Sequence, residues 1–416
     1  MSGRVAVRRA IALGCIAVVV GLLASTPATA AFTGAPVPFG VLTAFTGRLS
    51  DLGAAMLQGS KVAAAAVNEA GGVLGRQLVL QTADTQGDSA DSVPAINKLI
   101  GADHVVVIIG PETEEYYAVR PIFTRYKIPT EMQGGDVALD HETNPYFWRD
   151  SPSDSQLSVA MALYARKAGY KTGALMMYTE TSAQTLKAPL RKTFEKLGGK
   201  IVADVNVQAG QTSYRSEVLK LINAHPQVIF TQTDPATAAV IFQNFKELNN
   251  LAIPFIGTDL TGGDDYLKAV TYAAANKHLI SVYGTSVTGE GNDVFMKYFN
   301  KLNPGKEPLA NANYAYDAVV SAALAIDKAG STDGPKINAA MIPVTNPPGT
   351  KCYAYDTCLK LLKAGKKINY EGASGSLDYN QYHNVFGPYG AFRVDLQGKE
   401  HQISLMTDVE LEKATP

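Results

Sequence analysis

The sequence predicts an α/β protein built of parallel sheets with helices on both faces. Short apolar runs of β-type residues alternate with helix-period segments almost without interruption between residues 37 and 283. This alternation is typical of parallel strands that are connected by helices. The chain has 416 residues, which is more than one compact core usually accommodates. A polar, proline-containing stretch at 147–154 separates two series of runs, so we expect two doubly wound lobes.

Each series alternates strands with helices. The first series predicts strands at 37–42, 78–82, 105–109 and 128–132, with helices around 54–69, 94–100 and 114–126. The second predicts strands at 173–178, 201–207, 228–232 and 253–257, with helices near 182–197, 213–224 and 236–249, and a further strand follows at 279–283. Pro94 is expected in the first turn of its helix, because a proline in a helix interior removes a backbone hydrogen bond.

The first thirty residues have the pattern of a secretory signal peptide. Three arginines within the first nine residues precede an apolar stretch at 11–24, and Ala-Thr-Ala at 28–30 offers the small residues that a signal peptidase reads. The apolar stretch is shorter than the roughly 20 residues that a membrane-spanning helix needs. We expect export to the periplasm or the extracellular side, with cleavage after Ala30. A lipid anchor on Cys15 fits less well, because Ala12 stands where a leucine-like residue is expected.

Charge and cysteine content restrict the class of protein further. The chain carries 37 basic and 38 acidic residues, and cleavage would remove three arginines, which leaves a formal charge of −4. A nucleic-acid-binding protein normally has a basic surplus, so that class is excluded.

Cys352 and Cys358 lie six positions apart, and in an exported protein such a pair usually forms a local disulfide. Two free thiols or half of a metal site are the alternatives, but the six histidines are scattered and lack metal-ligand spacing, so we expect neither a metal nor a cofactor.

Several motifs follow one another in the order found in one family of receptors. A Phe-Thr-Gly turn at 45–47 leads into an alanine-rich helix, which ends in the glycine-rich segment 71–75 and is followed by Asp-Thr-Gln-Gly-Asp at 84–88. Phe-Ile-Gly-Thr-Asp lies at 255–259, and Tyr-Glu-Gly-Ala-Ser-Gly lies at 370–375. From about residue 38 to about residue 396 the sequence resembles the bacterial solute-binding proteins of the branched-chain amino acid type. These are extracytoplasmic receptors of ABC importers with the type I periplasmic-binding-protein fold.

The resemblance implies a chain that crosses three times between its lobes. It places residues 36–150 and 284–372 in the N-terminal lobe, and residues 151–283 and 373–410 in the C-terminal lobe. Three crossing segments form a hinge, and the lobes are expected to close on one small solute in the cleft between them. In open α/β sheets, ligands bind at the carboxyl ends of the strands, so the site residues are expected there.

In the N-terminal lobe the resemblance implies ligand contacts in two turns. Thr113 and Glu114 occupy positions where family members carry serines that assist in holding a carboxylate at a helix N-terminus. Glu114 would repel a carboxylate, so it either selects a cationic group or faces solvent and complements the helix dipole. Gly135 is implied to offer a backbone carbonyl to an ammonium. Asp136 either meets the ligand or caps a turn. Leu52 is a candidate apolar wall, although a core position is equally consistent.

In the C-terminal lobe the implied contacts again follow strands. Asp259 ends a motif whose acid contacts the ligand ammonium in the family, although an aspartate after an apolar strand is also a common helix cap. Asp234 lies at the equivalent end of a neighbouring strand. Ser182 stands where many family members have an aromatic ring over the substrate side chain, which implies a roomier or more polar pocket.

Motifs of catalysis find little support in the sequence. It has no Gly-x-Ser-x-Gly elbow, and the glycine cluster at 71–75 follows a helix, whereas a phosphate loop follows a strand. We therefore expect no catalytic residues and no enzyme activity.

The expected function is capture of an amino acid or amino-acid-like solute for the membrane permease of an ABC importer. A ligand-sensing domain that serves a signalling partner is the alternative, and amides, urea-like solutes, cationic amines and aromatic acids are further candidate ligands.

Overall fold

Strands and helices alternate along the computed structural model, which describes residues 1, 3, 32–47, 49–285 and 289–416. The strands are β1 Val37–Thr43, β2 Leu78–Asp84, β3 Val107–Ile109, β4 Thr130–Met132, β5 Phe147–Arg149, β6 Thr172–Tyr178, β7 Lys200–Val207, β8 Val228–Gln232, β9 Phe255–Gly257, β10 Leu279–Gly284, β11 Thr350–Cys352, β12 Ile368–Tyr370, β13 Tyr389–Val394 and β14 Glu400–Met406. The helices are α1 Ser50–Glu69, α2 Ser89–Gly101, α3 Thr113–Tyr126, α4 Asp154–Lys167, α5 Thr181–Lys196, α6 Arg215–Asn223, α7 Pro235–Glu247, α8 Asp264–Val270, α9 Tyr272–His278, α10 Glu290–Leu302, α11 Ala312–Ala329, α12 Gly334–Thr345, α13 Tyr355–Lys363 and α14 Asp408–Ala414. Except for Met1 and Gly3, the expected signal peptide lies outside the described residues.

The first lobe contains a five-stranded parallel sheet with the order β2-β1-β3-β4-β5. Strands β1 and β2 pair along their full length, from Val37 opposite Leu78 to Thr43 opposite Asp84. One face of the sheet packs against a core that includes α1 and the wholly buried face of α11. The other face packs against α2 and α3. Helices on both faces explain why the strands read as continuous apolar runs.

The second lobe contains a seven-stranded sheet with the order β14-β13-β10-β9-β8-β6-β7. The strands from β6 to β10 pair in parallel with one another. Strand β13 pairs antiparallel with both β10 and β14, which adds a hairpin to one edge. The predicted α/β class with two parallel-sheet lobes is confirmed, and the antiparallel edge is an addition that the alternation of strands and helices did not indicate.

Close packing of α1 against α11 in lobe 1 fixes the position of Asn311, a residue beside the cleft between the lobes. A Cβ atom on Gly59 of α1 would lie 1.9 Å from the carbonyl oxygen of Ala312, the first residue of α11. A glycine at this position allows α1 to lie directly against the start of α11. Asn311, which precedes that helix in a left-handed conformation with φ of 70°, is thereby held beside the cleft.

The chain passes between the lobes after β5, after β10 and before β13. The third crossing lies later than the expected boundary at residue 372, because Leu377 and Val385 are buried in the core of lobe 1 while Tyr389 is buried in that of lobe 2. The segment after residue 372 stays on lobe 1 because the carboxylate of Asp317 in α11 accepts hydrogen bonds from the backbone N–H groups that follow it. At the second crossing, residues 286–288 lie outside the described part of the chain.

The start of α2 differs from the sequence prediction. The side chain of Asp88 accepts a hydrogen bond of 2.6 Å from the backbone N–H of Ala90, and this cap starts the helix at Ser89. Pro94 is therefore the sixth helical residue, and its expected place in the first turn is wrong. The start of α2 is therefore determined by the cap at Asp88 and not by Pro94.

The predicted disulfide is present, since the sulfur atoms of Cys352 in β11 and Cys358 in α13 are bonded. Both residues are buried in the core of lobe 1. Within the described ranges, no helix combines the length and the apolar character that crossing a membrane requires.

Candidate functional site

A cavity of about 110 Å³ lies between the two lobes, at the carboxyl ends of strands from both sheets. Lobe 1 contributes the turn from β3 into α3 and the segment after β4. Lobe 2 contributes the last residues of β6, β8 and β10 and the residues that follow β6 and β9. The hinge contributes Ser151, Pro152 and Asp154. This is the position at which open parallel sheets bind their ligands.

Five carboxylic acids line this cavity, namely Glu112, Glu114, Asp154, Glu180 and Asp259. No lysine, arginine or histidine is found among the described residues of its wall. Arg48 precedes the wall residue Leu49 in the sequence and is not one of the described residues. The described wall is therefore strongly acidic, and it comprises acids from both lobes.

Local structure explains why three of these acids face the cavity. The backbone N–H of Glu112 donates to Oε2 of Glu115 at 2.9 Å, which caps the start of α3 a few residues after the end of β3. Asp154 is the first residue of α4, and the Ser153 hydroxyl accepts the N–H of Ser155 at 3.0 Å to cap that helix. Asp259 directly follows the extended residue Thr258 after β9 and begins a 3-10 helix.

Burial raises the pKa of several of these carboxyl groups. The pKa of Glu112 lies well above its usual range because of burial and the nearby charges of Glu115, Asp259, Glu114 and Asp154. Burial and the charge of Asp259 also raise the pKa of Asp154 well above its usual range, although Arg149 lowers it. Burial raises the pKa of Asp259 too, against hydrogen bonds that lower it. These groups hold protons more tightly than exposed acids do, and a cation placed among them would favour their ionised forms.

Asp259 connects the lobes through a hydrogen bond. Its Oδ2 atom accepts from Nδ2 of Asn311 in lobe 1 at 3.2 Å. On the hinge side, the backbone N–H of Asp154 donates to the carbonyl of Gly135 at 2.7 Å. A Cβ atom on Gly135 would lie only 2.2 Å from Oδ1 of Asp154, so a glycine is needed for this close approach. The carbonyl oxygen of Gly135 has a second lone pair available.

Several polar side-chain groups in the wall of the cavity have no hydrogen-bond partner among the described residues. Thr113 of lobe 1 is 4% exposed and Gln232 of lobe 2 is 6% exposed. Neither side chain makes a hydrogen bond within the described part of the chain. Oε1 of Glu114 and Nε2 of Gln133 are likewise buried without a partner among the described residues. Because buried polar groups in proteins are nearly always paired, these atoms indicate a place for a polar ligand.

Four tyrosines complete the wall. The hydroxyl of Tyr178 donates to Thr237 at 3.0 Å, that of Tyr283 to Glu400 at 2.9 Å, and that of Tyr389 to the carbonyl of Ser153 at 3.1 Å. Tyr314 of lobe 1 lies against Gly284 at the second crossing. The first three hydroxyls are hydrogen-bonded, and one face of the Tyr283 ring stacks on Phe392. Aromatic rings in the wall are compatible with a bound cation, because a cation is attracted by their π-electrons.

The structure brings together six of the eight site residues proposed from the sequence. Leu52, Thr113, Glu114, Gly135, Ser182 and Asp259 all line the cavity. Asp234 does not, since it caps α7 by accepting the N–H of Thr237 at 2.8 Å and lies in the wall of an adjoining cavity.

Asp136 lies outside both cavities and is fully buried. Its side chain accepts the N–H of Ala138 at 2.9 Å and the hydroxyl of Tyr117 at 2.8 Å. A ligand contact for Asp136 is therefore not supported. The alternative that it caps a turn is correct, because the chain bends away from the cleft at this residue to begin a 3-10 helix at Val137.

Sequence reasoning missed Asp154, Gln232 and Asn311. A strand-end signal was available for Gln232, the last residue of the correctly predicted strand β8. Asp154 follows a polar link and reads as an ordinary helix start. Asn311 has no local signal, because it reaches the cleft only through the packing of α11 on α1. Within the described ranges, no group of residues has the composition and geometry of a metal site.

Two α/β lobes, a hinge of three segments and a polar cavity at the strand ends define the class of two-lobed binding proteins. A family model described as periplasmic binding protein matches residues 36–354, and the chain belongs to this family. An amino acid binding protein of Pseudomonas aeruginosa is 24% identical over 325 residues, which cover 73% of this chain and 81% of that protein.

Solved structures show the same fold. The leucine binding protein LivK from Thermotoga maritima superposes with a TM-score of 0.75 at 20% identity, and the match covers 89% of this chain and 99% of that one. A solute binding protein of an ABC transporter from R. palustris, in complex with benzoate, gives a TM-score of 0.71 at 18% identity, with 92% and 97% covered. At these identities the likeness establishes the fold.

Proposed function

We propose that this protein is an extracytoplasmic receptor that captures a small organic amine in its cationic form and presents it to the permease of an ABC importer. The observation that carries the proposal is the wall of five carboxylic acids with no basic side chain among its described residues. Asp259 is the principal partner of the ammonium, and Glu112, Glu114 and Asp154 are its neighbours. Thr113, Gln232 and the carbonyl of Gly135 provide further polar contacts.

The acidic wall favours an amine over a zwitterionic amino acid. In the family pattern, the ligand carboxylate would lie at the N-terminus of α3, where Thr113 is flanked by Glu112 and Glu114. Where one of these acids is ionised, its charge and that of a ligand carboxylate about 4 Å away repel by about 4 kcal/mol at an effective dielectric constant of about 20. That repulsion exceeds the typical contribution of a helix N-terminus, which is about 0.3–1 kcal/mol. An amine without a carboxylate avoids this cost.

Contacts between the lobes support binding by closure. Asn311 reaches Asp259 across the cleft, and Glu307 of lobe 1 forms an ion pair with Lys399 of lobe 2 at 3.2 Å. A cation that touches acids of both lobes would stabilise this closed arrangement relative to an open one, because only the closed form makes both sets of contacts. The permease would then bind to the surface of the closed form.

A matched pair of ligands tests the class of solute. Leucine and 3-methylbutylamine share the same carbon skeleton and ammonium group and differ only by the carboxylate. We expect 3-methylbutylamine to bind at least about tenfold more tightly in calorimetric titrations at about pH 7. Its affinity should fall as the pH is lowered, because Glu112 and Asp154 have raised pKa values and become protonated early. Tighter binding of leucine than of the amine would contradict the proposal.

Export is the second component of the proposal. The arginine-rich start, the short apolar stretch and the Ala-x-Ala site predict a mature protein that begins at Ala31. N-terminal sequencing of the protein secreted by its host should read from that residue. A mature protein that retains Met1 would exclude cleavage, and with it the assignment to the extracytoplasmic side.

A further inference from the structure

A second and larger cavity adjoins the acidic one. Its volume is about 650 Å³, and it also lies between the lobes. The two cavities share wall residues, among them Leu52, Tyr178, Asp259 and Tyr283. A solute with its charged group beside Asp259 therefore has space to extend past these shared residues into the second cavity, which we call the side chamber.

Apolar side chains form much of the side chamber. Lobe 2 contributes Leu260, Leu267 and Phe392, and lobe 1 contributes Pro308 and Leu309. The ring of Phe392 stacks on that of Tyr283 with centroids 4.1 Å apart, which continues the aromatic wall from one cavity to the other.

Leu309 is an exposed leucine in a fixed position. It is 44% exposed although it faces the chamber. Its backbone N–H donates to Oε1 of Gln58 in α1 at 2.8 Å, which holds the loop before α11 against the lobe. An apolar ligand that covered this side chain would remove exposed hydrocarbon surface from water.

Most acids of the side chamber already have partners. Asp234 accepts from Thr237, Glu307 pairs with Lys399, and Glu400 accepts the hydroxyl of Tyr283. Asp264 pairs with Lys268 at 2.5 Å. Asp51 lies near Asp265 and Asp264, and burial and the charges of these two acids raise its pKa. In the acidic cavity, by contrast, Oε1 of Glu114 is buried without a partner among the described residues. The described wall of the chamber therefore offers hydrocarbon contact, and none of its acids has a buried oxygen without a partner as Glu114 does.

We infer that the solute is an amine with an apolar chain or ring, whose ammonium group lies in the acidic cavity and whose hydrocarbon part fills the side chamber. This inference rests on the proposed function, since it adds an apolar chain or ring to the ammonium group proposed above. It predicts that affinity depends on two separable features, the charge of the head and the length of the apolar part.

A series of linear amines from propylamine to heptylamine tests the inference by calorimetry on the mature protein. Each methylene that enters the chamber should tighten binding about three- to fourfold, so that hexylamine binds at least about 30-fold more tightly than propylamine. If the amines bind with equal affinity at all lengths, the side chamber is not a subsite, and the proposed function is unaffected. If no amine in the series binds, both the subsite and the amine-binding function are excluded.

Two further comparisons separate hydrocarbon contact from other effects. Hexylamine should bind more tightly than 1,6-diaminohexane, which would bring a second charge into the chamber, and the reverse order would overturn the inference.

Leu309→Ala should weaken heptylamine binding about fivefold and leave propylamine binding unchanged. Leu302→Ala is the matched control, because Leu302 is similarly exposed at 47% and lines neither cavity. Equal heptylamine affinity in both variants would contradict the subsite.

Discussion

We expect Asp259→Asn to weaken the binding of 3-methylbutylamine by about 30- to 1000-fold, which corresponds to about 2–4 kcal/mol. The substitution keeps the shape of the side chain and removes the charge that faces the ammonium in a desolvated cavity. An asparagine oxygen can still accept the hydrogen bond from Asn311, so the lobes retain their contact. Calorimetric titration of the variant and the parent protein measures the difference.

The fold of this variant should be unaffected, because Asp259 lies at a strand end beside the cleft and supports no part of the core. Asp333→Asn is a suitable control, since Asp333 is an exposed acid that lines neither cavity. The control should bind the amine as the parent does. An Asp259→Asn protein with parental affinity would exclude Asp259 as the partner of the ammonium.

We expect Asp317→Ala to lower the free energy of unfolding by about 3–5 kcal/mol. The Asp317 carboxylate is fully buried and accepts hydrogen bonds from the hydroxyl of Tyr370 at 2.8 Å, and from the backbone N–H groups of Ala373 at 2.8 Å and Ser374 at 2.7 Å. Alanine would leave these donors buried without an acceptor and would release the loop that leads to the third crossing. Urea denaturation followed by circular dichroism gives the change.

Asp293→Ala provides the comparison for this prediction, because Asp293 is an exposed acid of α10 in the same lobe. Its effect should remain within about 0.5 kcal/mol. If Asp317→Ala has an equally small effect, the loop at 370–375 is held by other contacts, and the hydrogen bonds of Asp317 do not explain the late third crossing.

Much of the fold follows from local sequence patterns. Parallel strands that are covered on both faces read as short apolar runs, and for this reason β1, β6 and β8 were predicted within a residue or two. The hairpin of β13 and β14 was missed because it lies after the helical series, where alternation of strands and helices gives no information. The third crossing was placed too early because the hydrogen bonds of Asp317 join residues 56 and 57 positions apart, which no local pattern records.

Residues that line the cavity were predictable where they lie within a few positions of the end of a strand. Thr113 and Asp259 could be placed this way because the carboxyl ends of parallel strands meet at one edge of a sheet. Asp136 also follows a strand, but its carboxylate does not reach the cavity. The chain bends after Gly135, and the carboxylate of Asp136 caps the 3-10 helix that begins at Val137. Asn311 and Asp154 reach the cavity through the packing of helices. Their contribution depends on the assembled lobes and was not visible in the sequence.

The central claim is that a cation is held between the lobes by carboxylates, and a crystal structure of the protein with 3-methylbutylamine bound tests it most directly. We predict an ammonium nitrogen within about 3 Å of the Asp259 carboxylate and within hydrogen-bonding distance of Asp154, Glu112 or Glu114, with the carbon chain directed past Leu52 towards the side chamber. An amine bound outside the cavity between the lobes, or one whose hydrocarbon end points at the acids, would contradict the claim.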